Sequence, residues 1–599
     1  MIRLARYLKY FKVEIIIGPF FKLMEAVFEL IVPLVMASII DNGIKNQDKG
    51  YVLQKGGIIL LLGVAGLIFA LICQYSASKA SQGFGTKVRN DLFAHINQLS
   101  HAEIDKLGTN SLITIITNDV NQMQLAVAML IRLVVRAPFL VIGATVMAMM
   151  LDLRLSIIFL IVGPLIVLLL FFIMKKSVPL YRARQKVIDI ISLLTRENLS
   201  GARVIRAFSN QEKQIKHFNE VNDQASDIAI RVGKLSALLS PATFVLMNLA
   251  IVAIIWFGGV RVNIGGLTQG EVIALINYMT QISLALVVVV NLVIIFTKAA
   301  ASGARINQVF DMKSSLVEGD FSRNISEERN LSTEADIPGE INSTIIRGMK
   351  PLLSLREVIF SYPDSEEYAL EGINLEINAG EVIGIIGGTG SGKSTLVNLL
   401  PRLYDVSGGE ILLRGIPVQE YSFEELRKSV SMVPQKTVLF YGTIKDNIKM
   451  AYQYATNEEI EKALRIAQAK EFVDKLQERT DYLIMQGGKN LSGGQRQRLA
   501  IARAIVSSPD ILILDDSSSA LDYATDAKLQ KALREELKNT TVIMVSQRVG
   551  AIRGADQIIV LDDGKIAGSG KHEDLIKTCE VYQEICHSQL DGKEGDSHE

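Results

Sequence analysis

The sequence predicts a membrane domain of six transmembrane α-helices followed by an α/β domain. Three observations support this fold class. The 599 residues are 49% hydrophobic, and their mean hydropathy of +0.28 is too high for an ordinary soluble protein of this length. Six long apolar segments lie in the first half of the chain. From residue 351 onward, short β-rich segments alternate with helical ones, which is typical of an α/β domain.

Each apolar segment is close to the roughly 20 residues that a helix needs to cross a hydrocarbon core of about 30 Å. The loop at 175–237 carries 12 Lys and Arg residues, whereas the turns at 152–154 and 261–270 carry one each. By the positive-inside rule, the side of a membrane protein that carries more Lys and Arg next to its spans faces the cytosol. We therefore expect a multi-pass protein of the cell membrane, with both termini and the α/β domain in the cytosol. The six segments fall at residues 14–40, 57–77, 127–151, 155–174, 238–260 and 271–297.

Composition divides the chain into four parts. A transmembrane domain with two long cytosolic loops is expected over residues 1–312, and the α/β domain over residues 351–590. The segment between them, 313–350, is polar and lacks sustained periodicity, which predicts a linker. Residues 591–599 form a polar tail. Because 63 basic residues balance 63 acidic ones, the composition gives no indication of nucleic-acid binding.

The clearest chemical motif is GGTGSGKST, which follows the apolar strand VIGII and precedes the helical segment LVNLL. This order of strand, loop and helix is what a phosphate-binding P-loop requires. Its backbone N–H groups and the positive end of the helix dipole favour phosphate. Lys393 is expected to contact the β- and γ-phosphates of ATP, and Ser394 to coordinate Mg²⁺. The predicted nucleotide-binding residues are Gly387, Gly388, Thr389, Gly390, Ser391, Gly392, Lys393, Ser394 and Thr395.

A second anion site is predicted within LSGGQRQRLAIARAI, at the start of an amphipathic helix. Its residues are Ser492, Gly493, Gly494 and Gln495. A single P-loop binds its phosphates without a second anion site, so this motif needs another explanation. FSYPD, VPQ and SALD complete an ordered set of motifs around the P-loop. This set resembles the ATP-binding cassette domain, and the chain up to about residue 585 resembles a half-transporter of the ABC exporter class.

The resemblance implies how such a protein assembles. Two α/β P-loop ATP-binding cassette domains are expected to face each other head to tail, with ATP between them. The segment Ser492–Gln495 of one chain then completes the P-loop site of the other. Two cytosolic segments, one from Ser100 to Asn110 and one around Phe208, are expected to dock on the ATPase domain as coupling helices.

The resemblance also implies roles for single residues. Tyr362 is expected to stack on adenine, Gln435 to contact Mg²⁺ or the attacking water, and Asp515 to hold Mg²⁺ through water. Two positions depart from the family pattern. Asp516 stands where the family has its catalytic glutamate, and Gln547 stands where a switch histidine is usual.

These departures predict an ATP site that hydrolyses slowly or not at all. The shorter carboxylate is withdrawn by more than about 1 Å, and a misplacement of that size can cost ~10²-fold in rate. Gln547 can form hydrogen bonds but cannot carry a charge. The intact LSGGQ then favours a heterodimer, similar to bacterial multidrug-type ABC exporters with one degenerate site. In the opposite interpretation, Asp516 and Gln547 are tolerated variants of an active site.

The resulting hypothesis is ATP-driven export of amphipathic or lipophilic solutes, with Asp516, Gln547 and Gln435 next to the reaction. A second half-transporter, membrane lipid and a small amphipathic substrate are the expected partners. The alternative is a regulatory, catalytically weak subunit of an ABC-type channel or of a peptide or lipid translocase. A soluble ABC-type ATPase of DNA repair is excluded because six spans replace its coiled coil.

Five charged residues interrupt the apolar segments: Lys22, Glu25 and Glu29 in the first, and Arg132 and Arg136 in the third. Charges are costly in lipid and usually face a cavity or each other. Counting about 1.5 Å per residue from the cytosolic ends places Glu25 and Arg136 at similar depths. We expect these acidic and basic groups to pair with each other rather than to contact substrate.

Overall fold

The computed structural model describes residues 3–321, 351–363 and 365–594. Most of the expected linker, Asp364 of the FSYPD motif and the last five residues of the tail therefore lie outside the described residues. The first part of the expected linker is described: the backbone N–H of Phe321 donates to Glu420 O at 2.9 Å, beside the ring of Tyr421.

The chain folds into two compact units. The first comprises Met1–Asn97 and Asn110–Met312, and the second comprises Gln98–Thr109 and Lys313–Glu599. The division differs from the expected boundary near residue 312 in one respect. A short segment between the second and third apolar segments, Gln98–Thr109, belongs to the second unit.

The first unit contains six helices that are long and apolar enough to cross a membrane, which confirms the predicted membrane domain. They contain 41 to 53 residues each. Because about 20 residues suffice to cross the hydrocarbon, these helices extend well beyond it. Their bounds are Leu4–Ile44, Lys49–Gln98, Thr109–Leu151, Leu153–Ser200, Gln211–Asn263 and Gln269–Asp311.

Several of these helices change their winding along their length. The first begins with a 3₁₀ segment, Leu4–Phe11, continues as Lys12–Ser38 and ends in a π-helical turn, Ile39–Ile44. The third alternates α and π winding, and the fifth is divided near Leu238. The segments of the third helix are Thr109–Thr114, Ile115–Asp119 (π), Val120–Met129, Leu130–Val134 (π) and Arg136–Leu151. Those of the fifth are Gln211–Ala237 and Leu239–Asn263. A short helix, Ala202–Ala207, lies between the fourth and fifth helices.

The sixth helix is the centre of the first unit and packs against the first, third and fifth helices. Small residues permit this close approach, as is usual between membrane helices. At Gly270 an added Cβ would lie 2.3 Å from Ala37 O, and the Gly270 N–H donates to Asp41 at 2.9 Å. Tyr278, fully buried, donates its hydroxyl to Leu30 O at 2.7 Å.

An ion pair between a buried carboxylate, that of Asp119, and the half-exposed Arg305 joins the third and sixth helices. Asp119 is fully buried. Its carboxylate accepts hydrogen bonds from Arg305 Nε at 2.7 Å and from Ser302 Oγ at 2.9 Å. A buried carboxylate is stable only when its partners are all present.

The second unit is an α/β domain, as predicted. Its twelve strands in the described residues are β1 (Leu353–Phe360), β2 (Leu370–Ile377), β3 (Val382–Gly387), β4 (Gly408–Leu413), β5 (Ile416–Pro417), β6 (Val430–Val433), β7 (Gly442–Thr443), β8 (Leu483–Ile484), β9 (Ile511–Asp515), β10 (Thr541–Val545), β11 (Gln557–Asp562) and β12 (Lys565–Gly570). A four-stranded sheet has the order β2-β1-β4-β5, a six-stranded sheet has the order β12-β11-β3-β10-β9-β6, and β7 pairs with β8 in a third, two-stranded sheet.

The six-stranded sheet is parallel except for β12. Its central strands are buried on both faces, because alternate residues of β9 enter two different hydrophobic cores. Parallel register aligns the carboxyl ends of β3, β9 and β10 at one edge. The helices of this unit are His101–Leu107, Lys393–Leu399, Phe423–Ser429, Ile444–Lys449, Asn457–Ile466, Lys470–Asp474, Arg479–Asp481 (3₁₀), Gln486–Gly488 (3₁₀), Gly493–Ile505, Tyr523–Glu536, Val549–Ile552, His572–Thr578 and Glu580–Glu594.

The ion pair of Asp119 gives a test of how the first unit is held together. Asp119→Ala removes the acceptor of Arg305, whose side chain is 52% exposed, and of the buried Ser302 hydroxyl. It is expected to lower the stability by about 2 kcal/mol, because these charge-assisted hydrogen bonds are lost and the Ser302 hydroxyl stays buried without a partner. Asp311→Ala, which removes the exposed partner of Arg3, is the control and is expected to cost less than about 1 kcal/mol. Thermal unfolding of the purified chain in detergent compares the two variants. Equal losses would contradict the assigned role of the buried carboxylate.

Candidate nucleotide-binding site

The predicted P-loop connects β3 to the helix Lys393–Leu399. Gly390 and Gly392 have φ values of +86° and +92°, which favour glycine. At Gly392 an added Cβ would also lie 2.8 Å from Ala369 O. The spacing of the glycines therefore reflects both the turn of the loop and its close approach to a neighbouring strand.

Lys393 lies over its own loop. It is 8% exposed, and its Nζ donates to Gly387 O at 3.0 Å and to Ser391 Oγ at 3.2 Å. Burial lowers the pKa of Lys393, and the carboxylates of Asp515 and Asp516 oppose this shift. The ammonium group is thus held at the mouth of the loop, where a phosphate can replace carbonyl oxygens as its partner.

Asp515 and Ser394 meet at the carboxyl edge of the sheet. Ser394 Oγ donates to Asp515 Oδ1 at 3.2 Å, and Asp515 is 4% exposed. Burial raises the pKa of Asp515, against the hydrogen bond from Ser394. A serine hydroxyl beside a carboxylate suits Mg²⁺, which binds through one or two protein oxygens together with phosphate and water.

The two residues that depart from the family pattern line the same cavity as the P-loop. This cavity has a volume of about 320 Å³, and Asp516, Gln547 and Gln435 are in its wall. Asp516 has a φ of +47°, and its N–H donates to Val545 O at 3.0 Å. Gln435 Nε2 lies 3.5 Å from Asp516 Oδ2, which is a long hydrogen bond. Backbone pairing thus fixes the direction from which the Asp516 side chain starts.

Tyr362 also lines this cavity. Its hydroxyl lies 3.1 Å from Thr395 Oγ1. Its ring packs edge-on against Phe360, with the ring centroids 5.0 Å apart, and against Tyr404, at 5.6 Å. The aromatic ring is therefore placed beside the P-loop, where a base could stack on it.

The structure does not bring the second anion motif to this cavity. Ser492 caps the helix Gly493–Ile505, and its N–H bonds to Gln495 Oε1 at 2.8 Å. Ser492 and Gly493 are exposed, and none of the residues 492–495 lines the P-loop cavity. Within one chain, the two predicted anion sites are separate.

Two residues near the site were not found from the sequence. Gln589, in the last described helix, donates to the backbone oxygen of Gln547 at 2.6 Å and accepts from Val549 N at 2.9 Å. Tyr404 donates to Asp105 at 2.6 Å, and burial raises its pKa. No motif marks Gln589, whereas the PRLYD segment after the P-loop helix offered an aromatic residue as a weak signal for Tyr404.

The segment expected to act as the first coupling helix forms the helix His101–Leu107 in the second unit. A capping box of Ser100 and Glu103 begins it, and the hydrogen bond from Tyr404 to Asp105 attaches it next to Tyr362. The other expected segment is the short helix Ala202–Ala207, which is followed by Phe208. Phe208 is 79% exposed.

Comparisons with known proteins agree with this architecture. Residues 15–311 match the family described as ABC transporter transmembrane region, and residues 370–519 match the family described as ABC transporter. An uncharacterised ABC transporter ATP-binding protein of Mycobacterium tuberculosis is 37% identical over 576 residues, covering 95% of this chain and 94% of that protein. An ATP-dependent lipid A-core flippase of Pseudoalteromonas translucida is 30% identical over 564 residues, covering 94% and 93%.

Among solved structures, a bacterial Atm1-family ABC exporter with ATP bound has a TM-score of 0.75 and 22% identity, covering 98% of this chain and 99% of that one. This likeness is one of fold. Six membrane helices joined to a P-loop domain define an ATP-hydrolysing membrane transporter. The chain belongs to the ABC transporter family and carries the membrane region and the ATP-binding cassette of a half-transporter in one polypeptide.

The position of Lys393 predicts its contribution to ATP binding. Lys393→Ala removes the ammonium group from the mouth of the P-loop and is expected to weaken ATP binding at least about tenfold, because hydrogen bonds to charged groups are the strong ones. Lys428→Ala, on the exposed face of the helix Phe423–Ser429, is the control and should bind ATP normally. A fluorescent ATP analogue measures both affinities. Unchanged affinity of the Lys393 variant would contradict the assignment of the site.

Proposed function

We propose that this chain is one half of a heterodimeric exporter that moves amphipathic or lipophilic solutes out across the membrane. In this proposal its own ATP site binds nucleotide and hydrolyses it slowly, while its Ser492–Gln495 segment completes the working site of a second half-transporter. The observation that carries the proposal is that Asp516 and Gln547 both line the cavity of Lys393.

The side chain of Asp516 is one methylene shorter than the glutamate that serves as general base at this position in the family. Its backbone is fixed by the hydrogen bond to Val545 O, so the side chain cannot recover the missing methylene by moving the strand end. A base must come within hydrogen-bond distance of the proton that it removes. A carboxylate that stops about 1 Å early loses on the order of 10²-fold in rate. Gln547 adds no positive charge to offset this loss.

The separation of the two anion motifs supports assembly with a second chain. The exposed N–H groups at Ser492 and Gly493 stand at a helix N-terminus, which favours a phosphate. Since they do not line this chain's own cavity, the nucleotide that they contact belongs to another P-loop. A homodimer would contain two impaired sites, whereas a heterodimer with a complete catalytic set in its partner contains one working site.

Mg²⁺ accompanies ATP in this proposal, held by Ser394, Gln435 and Asp515. When bound, the ion would offset the negative charge of the phosphates. Ser394 and Asp515 are in hydrogen-bond contact, and Gln435 lines the same cavity. This arrangement supports the assignment of all three residues.

The orientation follows from the loop charges. The residues 175–237 carry 12 of the chain's basic residues, which supports a cytosolic position for this loop, for both termini and for the ATPase domain. The helix His101–Leu107 packs beside Tyr362 through Tyr404. It is therefore suited to carry the nucleotide state toward the membrane helices, and the exposed Phe208 is suited to dock on the ATPase domain.

The same two departures also favour a second candidate, a regulatory and catalytically weak subunit of a channel or of a peptide or lipid translocase. Both candidates share the impaired site. They differ in whether turnover at the partner's site moves a solute through the assembled pair.

The two ATP sites can be distinguished by matched substitutions. Asp516→Asn is expected to leave most of the ATPase activity of the assembled pair, because this carboxylate is not the working base. Glu-to-Gln at the partner's catalytic position is expected to abolish it. Phosphate release by the purified pair is the measurement. If Asp516→Asn alone stops turnover, the site is an active one and the proposal is wrong.

A further inference from the structure

The charged residues of the first and third membrane helices are unevenly paired in the structure. Lys22 Nζ contacts Glu25 at 2.7 Å, and Arg136 Nη2 contacts Glu29 at 2.7 Å. The expected pairing of acidic with basic groups therefore holds for Arg136, although with Glu29 rather than Glu25. Within the part of the chain that the structure describes, Arg132 has no carboxylate partner.

Two N–H groups of Arg132, at Nε and Nη2, are available to bind a ligand. Its Nε is buried and has no hydrogen-bond partner. Its Nη2 makes only a 3.4 Å contact with Ser78 Oγ on the second helix. A guanidinium group binds a carboxylate or phosphate best through two parallel N–H groups. Nε and Nη2 of Arg132 form such a pair, and the Ser78 hydroxyl can donate a third hydrogen bond to the same anion.

The backbone around Arg132 is irregular in a way that is common at functional sites. Arg132 lies in the π-helical turn Leu130–Val134, and such turns are frequent at functional sites. The turn is pressed against the first helix, because a Cβ on Gly18 would lie 2.4 Å from Ile131 Cγ2. A π-helical turn contains one residue more than an α-helical turn. This extra residue rotates the Arg132 side chain away from the direction that it would have in a regular α-helix.

A second feature lies one turn further along the third helix. A cavity of about 150 Å³ is lined by Arg136, Glu29 and Gln281 together with apolar side chains such as Leu133 and Leu140. Arg136 Nε and Gln281 Oε1 are buried there without hydrogen-bond partners. Arg132 is not in the wall of this cavity, but its chain neighbour Leu133 is. An amphiphile whose polar head is held by Arg132 would therefore have an apolar wall with unused polar groups within about one helical turn.

The charges of this region sum to one excess positive charge: two positive arginines and Lys22 against Glu25 and Glu29. An unpaired charge in a membrane segment is expensive and marks a functional position by default. We infer that Arg132, with Ser78, is the binding site for an acidic group on the transported amphiphile, so that this subunit selects anionic amphiphiles. The inference rests on the proposed export of amphiphiles and adds the charge of the cargo.

The acidic group could belong to a free amphiphile or to a phospholipid of the membrane, because both present the same anionic oxygens to Arg132. The test uses three probes with the same alkyl chain and different head charges: tetradecyl phosphate, tetradecylphosphocholine and tetradecyltrimethylammonium. Binding to the purified full-length chain in phosphatidylcholine nanodiscs is followed as the rise in melting temperature that a bound ligand produces.

We expect the wild-type chain to bind tetradecyl phosphate most tightly. Arg132→Gln should raise the tetradecyl phosphate concentration needed for the half-maximal shift at least about tenfold, because a charge-assisted bidentate contact is lost. Its binding of the zwitterionic and cationic probes should not change. Arg184→Gln, an exposed arginine of the fourth helix, is the matched control and should bind all three probes like the wild type.

Two results would overturn the inference: an Arg132→Gln chain that still prefers the anionic probe, or one that loses all three probes equally. If Arg132→Gln does not fold, Arg132→Lys decides instead. It keeps the charge and loses the fork, so it should retain the anionic preference with weaker binding, and equal binding of the three probes would again contradict the site.

A parallel series with phosphatidic acid in the nanodisc identifies the source of the anion. Competition with tetradecyl phosphate would assign the site to a lipid headgroup, and absence of competition would assign it to a free amphiphile; either result supports the site. ATP turnover by the assembled pair tests export separately. If no probe of any charge changes turnover, the export proposal fails, whereas the charge preference in binding decides the present inference by itself.

Discussion

The parallel pairing of β9 with β6 and β10 is the constraint on which the ATP site depends. This register aligns Val545 with Asp515, and it holds the N–H of Asp516 on Val545 O. It therefore fixes both the position of Asp515, the carboxylate proposed to hold Mg²⁺, and how far the carboxylate of Asp516 can reach. A side chain one methylene shorter at a fixed strand end cannot be compensated by the backbone. An aspartate at position 516 therefore ends farther from the reacting water than a glutamate would.

The membrane unit shows a related use of fixed geometry. The ion pair of Asp119 and Arg305 joins the third and sixth helices. Lys22 is paired with Glu25, and Arg136 is paired with Glu29. Among the three basic residues that interrupt the first and third apolar segments, Arg132 is the one that has no carboxylate partner in the described structure, and its Nε is buried without a hydrogen-bond partner. In the ATP site the informative residues are Asp516 and Gln547, which depart from the family pattern, and in the membrane unit the informative residue is Arg132, which has no carboxylate partner among the described residues.

Much of this architecture could be predicted from local patterns. The length of apolar segments gave the six helices, because crossing a hydrocarbon core needs a fixed number of residues. Glycine spacing gave the P-loop, because Gly390 and Gly392 adopt positive φ. The motif order placed Asp515 and Asp516 at a strand end. Each of these features depends on residues that are near one another in the sequence.

Features that depend on distant contacts or on irregular winding could not be predicted. Gln589 reaches the Gln547 loop from 42 positions away, and the segment Gln98–Thr109 joins the second unit through Tyr404. The depth count paired Arg136 with Glu25 because it assumed regular α-helices. The 3₁₀ start of the first helix and the π turns of the third helix change the rise per residue, and Arg136 meets Glu29 one turn away.

The central claim is that the reach of Asp516 and the missing charge at Gln547 limit this chain's own site. The most direct measurement is phosphate release by the chain purified alone, before and after the double substitution Asp516→Glu and Gln547→His. We predict little turnover by the wild-type chain and a rise on the order of 10²-fold in the double variant, because the base regains its reach and the γ-phosphate regains a histidine contact. Rapid turnover by the wild-type chain alone, unchanged by the double substitution, would contradict the account.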